Sequence, residues 1–394
     1  MSADQSAEEH KYWSKQPVPQ FGEKVEEEGP MEVKTVADIQ AEPLQIASTF
    51  EWWVPDVQDP EDLKLIYQLL SENYVEDDSS LFRFNYSVEF LQWALTPKGY
   101  YPEWHVAVRK KSDKQLLAFI SGIPLNLMVS GAPKRLCEIN FLCIHKKLRS
   151  RRLAPILISE VTRRVNLRDM WQAVYTAGVV LPKPFAVAKY YHRSLNPQKL
   201  IAIGFSRVPM AYEKFKNPME ALKRNYALPP KTHCKLRPMV PADCSVVAEL
   251  LTDFLSKFKV YPLFDEAEVV HWLLPRDKVV WAYVIEDKDG KPTDFVSFYS
   301  LPSTVIGNTK YPDLRAAYSY YYAAKTVPLQ TLMNDALILA RDEGFDVFNT
   351  LDMLDNEKFI HELKFGPGDG KLQYYMYNWR LKEMAASDVG LVML

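Results

Sequence analysis

Cysteine frameworks, long apolar runs and an excess of either charge are all missing from this sequence. Its four cysteines, Cys137, Cys143, Cys234 and Cys244, make no CxxC pair and no framework spacing, which argues against a zinc site or a disulfide scaffold and fits a reducing compartment. No stretch approaches the roughly 20 apolar residues of a membrane span, and the opening MSADQSAEEHK lacks the apolar core of a signal peptide. A soluble, cytoplasmic protein without a transmembrane segment is expected. Lys and Arg total 48 against 50 Asp and Glu, a formal charge of -2, so no overall field draws the chain to nucleic acid or an anionic membrane. Any charge-based role must be local, and no nucleic-acid partner is expected. What the 394 residues do hold is 47% apolar and 13% aromatic content, enough for a large core and for two domains or one duplicated domain.

Residues 1–45 are rich in Glu, Pro and Gln, with the run Glu26-Glu27-Glu28-Gly29-Pro30, and read as an arm that wraps rather than folds alone; the aromatic pair Tyr12-Trp13 is its candidate anchor. Beyond it a duplication emerges. Asp59 and Pro60 precede apolar Leu63, Ile66, Tyr67 and Leu70, the stripe of an N-capped amphipathic helix. Asp243 with Val247, Leu250, Leu251 and Phe254 repeats it about 184 positions later. Each helix is followed by strand, polar turn and strand (HVAVRKKSDKQLLAFISGIP and WAYVIEDKDGKPTDFVSFYSLP), then by a strand and a helix with proline near its start. Those are LCEINFLCIH with APILISEVTRRV, and AAYSYYYAA with PLQTLMNDALILA; WQAVYTAGVV and FDVFNTLDM then supply a last buried strand each.

That order resembles the GNAT acyltransferase fold. The expected class is α/β, an α+β mixed sheet built as two tandem GNAT-like halves related by pseudo-two-fold symmetry, over 46–210 and 211–394. In such folds the central helix receives the CoA pyrophosphate. Here the junction reads His145-Lys146-Lys147-Leu148-Arg149-Ser150-Arg151-Arg152-Leu153-Ala154-Pro155, five fixed positive charges ahead of a helix. Free N–H groups and the helix dipole favour a phosphate there. On the charges alone a solvated basic loop or a nucleic-acid patch is an equal reading; the position between an apolar strand and a proline-started helix favours phosphate.

Two segments carry a closer resemblance. Glu138-Ile139-Asn140-Phe141-Leu142-Cys143-Ile144-His145-Lys146 is very similar to the signature strand of the protein N-myristoyltransferases, and Lys364-Phe365-Gly366-Pro367-Gly368-Asp369-Gly370 resembles their second signature. YTAGVVLPKPFAVAKYYHRSLNP, FVSFYSLPST and the ending VGLVML also look like that family, so the likeness runs from about residue 10 to the end. It implies transfer of myristate from myristoyl-CoA, a co-substrate rather than a resident cofactor, to the N-terminal glycine of Gly-x-x-x-Ser/Thr proteins, by a monomer without a metal. The resemblance further implies that the backbone amides of Phe141 and Leu142 form an oxyanion hole. Lys11, Tyr12 and Trp13 would cover the CoA end, Ser150, Arg152, Leu153 and Ala154 would hold the pyrophosphate, and Cys143 and Ile144 would adjoin the cofactor. Cys143 could in principle carry an acyl group, but it lies in an apolar run without an evident activating base and reads better as a core residue.

The nucleophile would be an α-amine, much of it protonated at neutral pH, so a base is needed. The apolar ending Val389-Gly390-Leu391-Val392-Met393-Leu394 is unusual for a terminus. It fits either a closing strand with its carboxylate at the surface or a carboxylate drawn inside; the resemblance implies the latter, with the main-chain carboxylate of Leu394 as base. The acidic and aromatic segment from Tyr74 to Tyr86 reads either as a solvated loop or, by resemblance, as the lid of a peptide groove. In the second case Glu76, Asp77 and Asp78 face substrate cations while Tyr74, Phe82, Phe84 and Tyr86 line the channel. Thr176, Gly178, Tyr190, His192, Tyr299, Ser303, Asp369 and Gly370 match further peptide positions. Glycine at Gly178 permits close backbone approach. His192 taken alone is a satisfied histidine, and Asp369 sits in a glycine-rich turn. A different GNAT-type N-acyltransferase and a non-catalytic acyl-CoA or acyl-peptide binder are the competing readings.

Overall fold

A computed structural model describes residues 11–77 and 79–394. The expected helix Pro60–Asn73 forms: the Asp59 side chain accepts from the Glu61 N–H at 3.2 Å, and Leu63, Ile66, Leu69 and Leu70 are buried. Its counterpart Cys244–Leu255 also forms, but Asp243 does not cap it. Pro241 starts a 3-10 turn one step earlier, and the Asp243 carboxylate turns back to accept from the Val240 N–H and from Arg237. Both hairpins and their following strand–helix–strand units are present as read from the sequence.

Among the described residues Phe82–Phe84, Ser303–Val305 and Asp313–Leu314 form a separate sheet of three, and thirteen strands join into one larger sheet. Across it run Phe50–Trp53, His105–Lys110, Leu116–Val129, Ala132–Ile144, Ala173–Ala177, Gly366–Tyr377, Ala186–Ser194, Val347–Leu351, Ala316–Ala323, Pro292–Ser300, Val280–Glu286 and Arg237–Pro238, with Val260–Pro262 paired to the far end of Leu116–Val129. The two middle strands are exchanged. Ala186–Ser194, early in the chain, pairs with Val347–Leu351, while the late strand Gly366–Tyr377 pairs with Ala173–Ala177. Each half is thus completed by a strand from the other, and the seam between them is an antiparallel ladder interrupted once, between Pro367 and Lys371.

Each half also contains one parallel pair that soon parts. Ala132–Ile144 meets Ala173–Ala177 only at Cys137–Ala173 and Glu138–Val174, and Ala316–Ala323 meets Val347–Leu351 only from Ala316–Val347 to Tyr318–Asn349. The first gap opens toward the basic junction that follows Ile144. The arm adds no long element but ties both halves: Gly29 and Arg380 exchange main-chain hydrogen bonds, Asn378 donates to the Pro17 carbonyl, and the Leu44 N–H donates to Glu160.

Candidate active site

A one-residue excess in the strand Ala132–Ile144 organises the site. Phe119 pairs with Cys143 and Ser121 with Asn140, so Phe141 and Leu142 together oppose Ile120, a β-bulge. Phe141 has φ +56°, a left-handed conformation that costs an aromatic residue on the order of 1–3 kcal/mol. The rings of Tyr86 and Tyr74, 5.1 and 6.3 Å from that of Phe141, hold it there. Asn140 Oδ1 accepts its N–H at 2.8 Å. Because side chains alternate across a strand, the extra residue reverses the parity. Leu136, Glu138 and Asn140 face the central core before the bulge, Phe141 and Cys143 after it; Cys137, Ile139, Leu142 and Ile144 face the other side.

On that other side lies a pocket with a predominantly apolar lining, the kind of surface small-molecule sites use. The strand contributes Cys137, Ile139 and Leu142, and the helix Leu153–Asn166 contributes Ile158, Val161 and Val165. Trp13 closes it from the arm, stacked at 5.6 Å on Tyr175, which stacks in turn at 4.9 Å on Tyr375. Tyr12 reaches Ser159 with its hydroxyl at 3.3 Å, and burial raises its pKa. Lys11 is exposed.

Above the pocket the chain makes a 3-10 turn, Lys146–Arg151, which includes Ser150. Arg152, at φ +54°, then enters the helix without capping it, so the first N–H groups of that helix are left to a ligand or solvent. The five cations divide. Lys146 binds Glu76 at 2.5 Å and Arg149 binds the Asn73 carbonyl, whereas exposed Lys147, Arg151 and Arg152 have no ion pair among the described residues. Leu153 is buried and Ala154 half-buried at the helix start. Cys143 points into the core, 3.9 Å from the Leu69 carbonyl, and burial pushes its thiol up to about 12 despite Arg149. It is a neutral packing residue there, and only its main chain adjoins the pocket side.

The core side of the bulge holds the end of the chain. Gly390 donates to the Val260 carbonyl at 2.7 Å, Tyr374 Oη to the Leu391 carbonyl at 3.0 Å, and the Val392 N–H to Tyr321 Oη at 3.0 Å. Asn140 Nδ2 then donates to the Leu394 main-chain oxygen at 2.5 Å. The last carboxyl therefore lies inside, one residue from Phe141, and the surface-strand alternative does not hold.

The expected peptide residues fall into two groups. Tyr74, Tyr86, Tyr190 and Tyr299 share one buried nest with Phe141 and Tyr318, and burial raises the pKa of each of these tyrosines. Phe84 packs on Tyr86, and Phe82 on Phe205. The lid strand Phe82–Phe84 is docked on the second half, Phe84 paired with Ser303, and Asn85 donates to the Pro302 carbonyl. Two of the acids are already engaged: Glu76, held at about 2 by Lys146 and Arg83, and Asp77, which accepts from the N–H groups of Ser79, Leu81 and Phe82. Asp78 lies outside the described residues.

Toward the surface, His192 Nδ1 bonds Asn349 Oδ1 at 2.6 Å, and burial lowers its pKa, so the ring is neutral with Nε2 as acceptor. Asp369 does not sit in a turn. Pro367 pairs with Tyr191 and Lys371 with Lys189, so Gly368-Asp369-Gly370 bulge together opposite Tyr190 within the strand Gly366–Tyr377. A Cβ on Gly368 would overlap His192 Nε2, and Asp369 and Gly370 are exposed. Thr176 is half-buried opposite Tyr374, and a Cβ on Gly178 would meet no protein atom within 4 Å.

Sequence reasoning missed Asn140, Glu138, Tyr321 and Tyr374. The first two had a signal: Glu-Ile-Asn places polar groups on one face of an otherwise apolar strand. Among the described residues no group of His, Cys, Asp and Glu could hold a metal, and no helix is long and apolar enough to cross a membrane.

A parted parallel pair with an uncapped helix and free cations at its mouth, an apolar pocket beneath and a bulged strand beside it define a CoA-dependent acyltransferase. Two family models divide the sequence between them: residues 30–188 match the myristoyl-CoA:protein N-myristoyltransferase N-terminal domain and residues 202–392 its C-terminal domain. The chain belongs to the N-myristoyltransferase family. It is 50% identical over 395 residues to glycylpeptide N-tetradecanoyltransferase 1 of Arabidopsis thaliana, covering 98% of this chain and 90% of that protein. The Dictyostelium discoideum glycylpeptide N-tetradecanoyltransferase is 49% identical over 387 residues, 98% of this chain and 92% of its own length. A crystal structure of Saccharomyces cerevisiae N-myristoyltransferase with bound myristoyl-CoA superposes with a TM-score of 0.92 at 43% identity, over 98% of this chain and 99% of that one.

Proposed function

We propose that this chain transfers myristate from myristoyl-CoA to the α-amine of an N-terminal glycine, with residues 46–210 holding the thioester and residues 211–394 supplying the peptide groove and the base. The acyl chain occupies the pocket under Trp13, and the pyrophosphate meets the helix start at Leu153 with Lys147, Arg151 and Arg152 around it. Phe141 N–H, turned out of the ladder by the bulge, and Leu142 N–H polarise the thioester oxygen as negative charge develops. In the free enzyme Asn140 Oδ1 occupies the Phe141 donor, so the thioester oxygen displaces it.

The Leu394 carboxylate takes a proton from the incoming ammonium; the freed amine attacks the carbonyl carbon, the C–S bond breaks, and sulfur leaves with one proton. The single observation that carries this reading is the Leu394 carboxyl held on Asn140, next to the bulge. A carboxylate is a weak base for an ammonium in water, but fixed and partly desolvated it acts without reorganising. The protein substrates are Gly-x-x-x-Ser/Thr chains whose later cations meet the lid and Asp369, and glycine alone is accepted where the tyrosine nest leaves no room for a Cβ. The four free cysteines suit a monomer working in the cytoplasm. Mass spectrometry after mixing the protein with myristoyl-CoA and two octapeptides, starting with Gly or Ala, tests the reading. Modification of the Gly peptide alone is expected; neither peptide modified overturns the activity, and both modified overturns the glycine selectivity.

A further inference from the structure

Glu138 is almost fully buried, and among the described residues nothing hydrogen-bonds its carboxyl. It lines a cavity with Leu394, Tyr320, Tyr321 and Glu268. The free volume there, about 20 Å³, admits one water, since a water needs at least ~10–15 Å³. Glu138 and Asn140 stand two residues apart on the same face of their strand, about 6.6–6.8 Å along it. Glu138 and the Leu394 held on Asn140 border the same cavity, which gives a water there access to both. At the half-buried wall, Trp272 Nε1 donates to Glu268 at 2.9 Å.

We propose that Glu138 is the relay through which the proton taken up by Leu394 leaves the site, by way of the cavity water and Glu268. This rests on Leu394 being the base. The proton count requires such an exit. An ammonium that becomes an amide loses two protons; one ends on the CoA sulfur, and the other stays on Leu394 until it is shed. Glu138 gives a proton outward toward Glu268 and takes the one on Leu394, and no group is oxidised or reduced. The titratable groups facing Glu138 are the Leu394 carboxyl, Glu268 from the helix Glu266–Trp272, Tyr320 and Tyr321 from the strand Ala316–Ala323, and Tyr374 from the strand Gly366–Tyr377, with Cys137 beside it. No Lys, Arg or His lines the cavity among the described residues. Burial lifts Glu138 to about 7, so its carboxyl exchanges protons near neutrality, and burial also raises Glu268 above its ordinary value.

The test compares wild type, Glu138→Gln and Glu268→Gln with myristoyl-CoA and the glycine octapeptide from about pH 5 to 9, at low and high imidazole. Glu138→Gln should lower kcat on the order of tenfold at low imidazole, flatten its rise through neutrality, leave acyl-CoA affinity unchanged and recover with imidazole. Wild-type kcat in a folded Glu138→Gln protein overturns the proposal, as does a loss that imidazole does not restore, which marks a structural role. If Glu138→Gln does not fold, Glu268→Gln decides: a loss restored by imidazole supports the relay, and an unchanged kcat overturns it. A wild-type protein that modifies neither peptide strikes the function itself rather than Glu138.

Discussion

Gly390→Ala places a single methyl group four residues from the chain terminus proposed as the base. Its Cβ would meet Phe258 Cδ2 and Tyr261 Cβ at 3.0 Å and Phe258 Cβ at 3.2 Å. Comfortable carbon contacts lie at about 3.5–4.0 Å, so the clash requires a shift of about half an ångström. Both rings are buried and Tyr261 Cβ is fixed to its strand, so the tail must do most of the moving, away from the Val260 carbonyl that its N–H holds at 2.7 Å. Overpacking of this kind costs about 1–3 kcal/mol of stability. Misplacing a catalytic group by about 1 Å costs about a hundredfold, so half that displacement at Leu394 should lower kcat on the order of tenfold. Gly390 does not line the apolar pocket, so acyl-CoA affinity should not change. Steady-state kcat with the glycine octapeptide, beside calorimetric titration of myristoyl-CoA, separates the two. A Gly390→Ala protein with wild-type kcat would refute the reasoning that the tail is positioned to within a fraction of an ångström.

Glu138 has a folded pKa of about 7, above the ordinary carboxylate value of about 4.3. The folded state therefore binds more protons between those values, and the stability that Glu138 contributes is full below the ordinary pKa and lost as pH rises through about 7. Relative to Glu138→Gln, the wild type should lose about 3 kcal/mol between pH ~4 and ~8 in urea unfolding, and parallel curves would contradict the burial argument. Trp13→Ala uncovers the apolar pocket proposed for the acyl chain and removes the ring stacked on Tyr175. It should weaken myristoyl-CoA binding on the order of tenfold with little change in kcat, and an equal fall in kcat would show that Trp13 also positions the thioester.

The repeated order of helix, hairpin, strand, helix and strand was legible because each element carries its own periodicity. The strands Ala186–Ser194 and Gly366–Tyr377 were not, because their pairing is decided by partners far away in the chain, and Gly-Pro-Gly-Asp-Gly gives the local signature of a turn while the sheet uses it as a bulge. The bulge at Phe141 and Leu142 was equally hidden. Local preference puts Gly or Asn at positive φ, and here Tyr74, Tyr86 and Asn140 impose that geometry on an aromatic residue. The inward carboxyl of Leu394 had a trace in the apolar ending, but nothing among 22 tyrosines marks Tyr321 and Tyr374 as its anchors. The acidic character of the segment holding Glu76 and Asp77 was legible, and its engagement by Lys146, Arg83 and the segment's own N–H groups was not.

Deletion of Leu394 tests the centre of the account. It withdraws the carboxyl by up to about 3.3–3.6 Å and leaves the apolar pocket and the Phe141 bulge intact. Single-turnover transfer from myristoyl-CoA to the glycine octapeptide should collapse while myristoyl-CoA binds as tightly as before. Transfer at the wild-type rate by the shortened chain would contradict the assignment of the terminal carboxylate as the base.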